Sequence, residues 1–275
     1  MNMSRVPVGT EVEAGNQIVM VDGHLHAEAD ATIQVTDEGL LRGDGAFEVI
    51  RLYAGKTFAL QEHFERLARS ANSLRLPYDE EALAREVHEV VTAANGYEGA
   101  IRVVITRGGR RIIIVEPLPA YVPKSIRLVT LEYAPIRVLR GVKSLSYGAN
   151  MLLRRMAKAD GADDALLVTA EGTVLEATTA AFFYFIDGQL FTPPLDAGIL
   201  DSITRRHVLA TSEGAERHTS REDLDRVEEA FLASTIEEVH PIHQIDDRTL
   251  AVGAGTRTEA VWERLGEHIQ HRLDG

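Results

Sequence analysis

Pro117-Leu118-Pro119-Ala120-Tyr121-Val122-Pro123-Lys124 holds three of the chain's nine prolines. Each proline fixes φ and removes a backbone donor, so the stretch suits neither a helix nor a central strand. It reads as a linker, and it divides the 275 residues into a smaller part, 1–118, and a larger one, 126–275, with 119–125 between them. Both parts mix strand and helix signals. In the first, Gln17 to Met20, Thr32 to Val35 and Phe47 to Tyr53 read as strands, separated by turns at Asp22-Gly23 and Ala54-Gly55-Lys56. Phe64, Leu67, Ala71 and Leu74 recur at helical spacing within Gln61 to Leu74. A second helix runs from Glu80 to Ala94, and Ala100 to Thr106 and Ile112 to Glu116 form a hairpin.

Beyond the linker, strands are expected at Ile126 to Leu131, Ala165 to Thr169, Val174 to Glu176, Phe182 to Ile186, Gln189 to Phe191 and Glu229 to Ala233. Helices are expected at Ala149 to Lys158, Ser202 to Thr211, Arg221 to Asp225 and from Gly255 onward. Strands and helices do not alternate strictly, so the fold class is α+β in two domains rather than a doubly wound sheet.

Composition narrows the function. A formal charge of −13 is the wrong sign for a nucleic-acid binder. Without cysteine there is neither a disulfide framework nor a thiolate metal site, which suits a reducing cytoplasm. Met1 to Gly15 lacks the basic start and apolar core of a signal peptide, and no apolar run approaches the ~20 residues of a membrane span. His24 with His26, and His240 with His243, are close histidine pairs. Neither is accompanied by an acidic cluster, so no metal site is expected.

Chemistry gathers around Lys143, in Arg140-Gly141-Val142-Lys143-Ser144-Leu145-Ser146-Tyr147. A lysine beside valine just ahead of a helix can lose water, and with it basicity, becoming a nucleophile; most lysines, though, are simply solvated. Glu176 ends an apolar strand in Gly172-Thr173-Val174-Leu175-Glu176-Ala177-Thr178-Thr179, where a carboxylate can partner a ring nitrogen or merely meet solvent. Three elements suit an anion: the turn into a helix at Gly198 to Thr204, the strand end at Ser234-Thr235, and Arg66 on the first helix. Taken singly, each is a helix cap, a strand terminus or a surface arginine.

Together these pieces resemble the class IV aminotransferases, the fold-type IV pyridoxal 5′-phosphate enzymes that include D-amino-acid transaminases, branched-chain aminotransferases and aminodeoxychorismate lyases. The resemblance runs from about Val19 to Asp246, through Asp37 to Glu48, Glu62 to Leu67, Lys143 to Leu145, Gly172 to Glu176, Gly198 to Arg205 and Phe231 to Glu237. It implies a smaller N-terminal α/β domain, a larger C-terminal domain with the cofactor between them, and a homodimer. It implies that Lys143 carries the cofactor as a Schiff base and shuttles a proton, and that Glu176 pairs with the pyridinium nitrogen. Arg66, the Ile203 backbone, Thr204 and Thr235 hold the phosphate, with Ser234 beside them. Leu200 packs on the ring, and Tyr147 stands near its 3′-oxygen. Ala181 departs from the pattern, which has asparagine there.

The resemblance also bears on substrates, an amino donor and an α-keto acid acceptor. The Arg-x-His carboxylate trap of D-amino-acid transaminases falls on Glu98 and Ala100 and is absent. Ile101-Arg102 looks like the branched-chain enzymes, but their tyrosine is Arg42 here and their loop before Ile112 is missing. Arg42 is therefore expected to bind a substrate carboxylate, with Arg102 as a second candidate. Ser-Leu-Ser-Tyr after Lys143 favours a transaminase over a lyase, in which His-Leu-Asn is common. The order of expectation is D- or (R)-selective transamination, then L-branched-chain transamination, then the lyase.

Overall fold

The computed structural model describes residues 18–120 and 124–274. Met1 to Gly15, Gln17 and the Tyr121–Pro123 part of the linker lie outside the described residues. Before the proline-rich stretch come β1 (Ile18–Val21), β2 (His24–Ala27), α1 (Glu38–Arg42), β3 (Gly45–Tyr53), β4 (Lys56–Thr57), α2 (Leu60–Leu74), α3 (Glu80–Ala93), β5 (Gly99–Thr106) and β6 (Arg111–Pro117). After it come β7 (Ile126–Glu132), α4 (Gly148–Ala159), β8 (Asp164–Val168), β9 (Val174–Ala177), β10 (Ala181–Ile186), β11 (Gln189–Thr192), α5 (Ile203–Thr211), β12 (Ala215–Glu216), β13 (Glu229–Ser234), β14 (Glu238–Ile245), β15 (Arg248–Thr249) and α6 (Arg257–His271). The α+β class is what the structure has.

The first sheet has six strands in the order β2-β1-β6-β5-β3-β4, all antiparallel. Its inner face carries Met20, Ile50, Ile101, Val103 and Ile113 against Leu67 and Ala71 of α2 and Leu83, Val87 and Val90 of α3. The second sheet has nine strands and is mixed. β7 pairs in parallel with both β8 and β14, and α4 provides the crossover from β7 to β8. β10 explains why its sequence reads as unbroken apolar residues. Phe182, Tyr184 and Ile186 enter one core while Ala181, Phe183 and Phe185 enter another beneath α5 and α6, so both faces are buried.

Several elements differ from expectation. Thr32 to Val35 is not a strand: β1 turns at Asp22-Gly23 and takes His24–Ala27 as its partner, leaving Val35 76% exposed. The helix expected at Arg221 to Asp225 is a 3-10 turn over Glu222–Arg226. α1 was not anticipated; Asp37 caps it by accepting from Gly39 N, and Gly43 ends it at φ 66°. β14 was hidden by Pro241. Its pairing with β7 begins only at Ile242, so the missing amide is not required on that edge.

Backbone bonds join the two halves at two places: Asp274 N donates to Thr57 O at 2.8 Å, and residues 143–145 reach β3. β5 covers one edge of β3 along its length, and β4 covers only Leu52 and Tyr53 of the other. The open remainder takes residues 143–145 as a short rung: Phe47 N donates to Lys143 O at 3.1 Å and Leu145 N to Gly45 O at 2.9 Å. Gly45 permits this approach, because a β-carbon there would meet the Ile105 carbonyl and, at 2.5 Å, Leu145 Cδ1. Gly45→Val is expected to destabilise the protein by about 2 kcal/mol through overpacking and to speed amide exchange at Leu145. Thermal denaturation and hydrogen exchange read the two effects, and an unchanged Leu145 amide would refute the account of the rung.

Candidate active site

The rung sets Lys143 where the halves meet. Its backbone N–H donates to Ser70 Oγ of α2 at 3.1 Å, and its Nζ lies 4.5 Å from the centroid of the Phe47 ring and 5.9 Å from that of Tyr147. Burial, and then the nearby Arg66 charge, bring the ammonium down to a pKa of about 8, against the pull of Glu48 and Glu176. Lys143 therefore holds a proton loosely near neutral pH, as a nucleophilic amine must.

Glu176, near the end of β9, lines the same cleft as Lys143, Tyr147 and Leu200. Its Oε1 accepts from Leu200 N at 3.1 Å. Burial raises its pKa to about 7, although that hydrogen bond and the charges of Lys143, Arg205 and Arg66 oppose the rise. Burial likewise raises the Tyr147 phenol to about 12, and its ring meets Phe47 edge-on at 5.3 Å.

A second chamber is lined by Ile203 and Thr204 from the start of α5, by Ser234 and Thr235 at the end of β13, and by His63 of α2. Ser202 caps α5 by accepting from Arg205 N, and the first-turn amides have no carbonyl of their own helix to bond. Arg66 is 4% exposed. It forks onto Glu48 through Nε (2.7 Å) and Nη2 (2.6 Å) and reaches the Asp201 carbonyl through Nη1 at 3.1 Å. Burial alone would raise the Glu48 carboxyl. The Arg66 charge and hydrogen bonds, joined by His63, outweigh it and hold the pKa at about 2.

The remaining sequence candidates do not line either cavity. Arg42 ends α1 with a side chain 67% exposed, ion-paired to Glu38, and is not among the residues lining either cavity. Arg102 gives Nε and Nη2 to Glu116 at 2.6 and 3.0 Å while lying 5.6 Å from the Phe47 ring centroid. Ala181 is buried opposite Ala233 in β13. The four histidines weighed for metal make bonds to Asp22, Glu237 or Ser125 or stand on β2, and no group of three metal-ligating side chains forms among the described residues.

Sequence reasoning assigned no role to Glu48, His63 or Arg140. A carboxylate inside the apolar run Gly45–Tyr53 was the available signal for Glu48, since an acid on a buried strand requires a cation. Arg140 lines the Lys143 cleft against Gly198 and has no ion pair or hydrogen bond among the described residues. The donor set fits a ligand with an anionic phosphate at one end and a basic ring nitrogen at the other.

The family model for class IV amino-transferases matches residues 45–245. A candidate branched-chain-amino-acid aminotransferase of Methanocaldococcus jannaschii is 36% identical over 84% of this chain and 89% of its own length. A D-alanine aminotransferase of Listeria monocytogenes is 32% identical over 86% of this chain and 90% of its own. Among solved structures, a hypothetical aminotransferase from Mycobacterium tuberculosis in its PLP-bound form superposes with a TM-score of 0.84. It is 26% identical and covers 92% of this chain and 98% of its own.

Removing the Glu48 charge leaves Arg66 buried without its partner, so Glu48→Gln is expected to cost about 3–5 kcal/mol in denaturant unfolding. The Glu48 pKa is depressed in the folded state. Its contribution is therefore complete above pH 4.5 and fades as pH falls toward about 2. That part of the acid dependence should vanish in the variant; an identical acid profile in both proteins would show that Glu48 is not the anion responsible.

Proposed function

Because this chain belongs to the class IV aminotransferases, which are pyridoxal 5′-phosphate enzymes, we propose that it exchanges an amino group between a D-amino acid or (R)-amine and an α-keto acid in two half-reactions. The observation that carries the reading is the pairing in one cleft of Lys143, with its lowered basicity, and Glu176, with its raised pKa, beside a chamber of anion donors. When bound, the cofactor supplies a carbonyl that captures amino groups and a ring that withdraws electrons.

The residues act around it. Arg66, the Ile203 amide, Thr204, Ser234 and Thr235 hold the phosphate; Arg66 contributes charge while Glu48 fixes its plane. Glu176 would accept a hydrogen bond from the protonated ring nitrogen and so keep it protonated, and the Leu200 amide aims its carboxylate. Leu200 also supports the ring face, and Tyr147 donates toward the ring oxygen. Lys143 Nζ would hold and move a proton at the substrate carbon, a task suited to a group whose pKa is about 8. Arg140, with Arg102 at Phe47, supplies positive charge for a substrate carboxylate.

The short β5–β6 connection, Arg107 to Arg110, favours the D- or (R)-donor reading over the branched-chain one. The M. jannaschii relative, named for branched-chain amino acids, supports L-branched-chain transamination as the second reading. Mixing yellow holoenzyme separately with D-alanine, L-leucine and (R)-1-phenylethylamine distinguishes them. Bleaching by a D- or (R)-donor alone is expected; bleaching by L-leucine alone selects the second reading; and no bleaching at all overturns transamination in favour of the lyase. In Arg140→Ala the KM for the keto acid should rise roughly tenfold with cofactor absorbance intact, the loss of one charge-assisted contact. The same loss in Arg42→Ala instead would give that role to Arg42.

A second copy of the chain completes the reading. Leu40 and Leu41 on α1 are each 59% exposed, and Val138, beside the cleft, is 83% exposed. Adjacent apolar side chains of this size left in water favour association. Sedimentation is expected to give a particle of twice 30.2 kDa, and Leu40→Glu with Leu41→Glu should return it to one chain; a monomeric parent would sink this part.

A further inference from the structure

His63 stands among the buried charges, yet none of the roles above uses its second nitrogen. The residue is 1% exposed. Nδ1 lies 2.8 Å from Glu48 Oε2. Glu48 is a carboxylate at any ordinary pH and only accepts, so Nδ1 carries the hydrogen. In the neutral ring Nε2 is then the nitrogen with the bare lone pair. Nε2 makes no hydrogen bond within the described residues, and the ring forms part of the chamber wall with Ile203, Thr204, Ser234 and Thr235.

An acceptor lone pair is the wrong group to present to an anion. Every other polar group facing the chamber from α5 and β13 can offer N–H or O–H. A proton between Nε2 and the anion removes the conflict and leaves both nitrogens of the ring bonded. We propose that His63 is a further phosphate-binding residue, which takes up one proton as the cofactor phosphate enters and shares it at Nε2 with a phosphate oxygen. This rests on the reading of the chamber as the phosphate cup.

The only bond made is N–H. The proton comes from solvent when the phosphate arrives as a dianion, or with the phosphate when it arrives as a monoanion. The charges around the ring explain why binding is the trigger. Burial holds the empty-site imidazole below its usual basicity, helped by Arg66 and Lys143 and opposed by Glu48. Arg51 of β3 and Glu238 of β14 line the far side of the chamber and pair with each other at 3.3 Å, so they largely offset. An entering anion adds negative charge next to Nε2 and reverses the balance, with Glu48 already in place behind the ring.

The test uses the full chain labelled with 15N-histidine, as holoenzyme and after removal of cofactor. Titrating the stripped protein with inorganic phosphate near neutral pH is expected to move the His63 Nε2 resonance from the bare to the protonated range, where the holoenzyme already lies. Calorimetry repeated at pH ~8.5, where inorganic phosphate arrives chiefly as the dianion, in buffers of different ionisation enthalpy should read about one proton taken up per phosphate. His63→Asn keeps an amide donor toward Glu48 but places nothing at Nε2; it should bind phosphate roughly tenfold more weakly, without proton uptake. If wild-type protein binds phosphate with the His63 signal unmoved and no proton uptake, the proposal falls and the cup reading stands. If phosphate does not bind, and pyridoxal binds as well as pyridoxal 5′-phosphate, the cup reading falls and takes the proposal with it.

Discussion

A single buried anion, the Glu48 carboxylate, sets the conditions for everything around it. At 1% exposure it can exist only if cations and donors surround it, and Arg66 and His63 of α2 do so. That requirement fixes α2 against β3 at one rotational setting. It also leaves Arg66 Nη1 free to reach the Asp201 carbonyl, just ahead of α5. Strand, helix and the start of a helix from the other half of the chain are thus held by one carboxylate. Such an arrangement adds modest stability beyond what apolar packing would give, but it permits few alternative geometries.

Two other ionisable groups are treated in the opposite way. Glu48 is stabilised in its charged form, whereas Lys143 and Glu176 are left short of partners and pushed toward neutrality, to about 8 and about 7. Desolvation does this in both cases, and they partly restrain each other through opposite charge. A cleft with an easily deprotonated amine and an easily protonated acid can exchange protons with a substrate without large swings in energy. The rigid charges behind and the labile ones in front belong to the same few ångströms of structure.

The strands and helices with clear periodicity were legible in the sequence, because a 3.6-residue or two-residue repeat records which face is buried. Gly99–Thr106 and Leu60–Leu74 are of this kind, whereas Ala181–Ile186 was legible as an unbroken apolar run. Thr32 to Val35 misled because β-branched residues favour extended backbone whether or not a neighbour is available to pair. β14 was missed since Pro241, His240 and His243 break every local signal, and only its position between β13 and β7 makes it a strand. In the site, Lys143, Glu176, Leu200 and Tyr147 line one cleft and Ile203, Thr204, Ser234 and Thr235 the other. The direction of a surface guanidinium could not be read: Arg42 and Arg140 look alike in sequence, yet one is tied to Glu38 and the other borders the cleft. Partnerships such as Glu48 with His63 depend on α2 folding back over β3, which no local window records.

The rung that residues 143–145 add to β3 constrains how the enzyme can turn over. The peptide bearing Lys143 is hydrogen-bonded into the first sheet, while the chain on either side of it belongs to the second. Swinging the two halves apart would break those bonds and lift the amine from Phe47. A wide hinge motion is therefore a poor route for traffic. Substrate and product must pass instead at the rim, where Pro135 and Ile136, a 3-10 turn ending at Leu139, and Arg140 border the cleft.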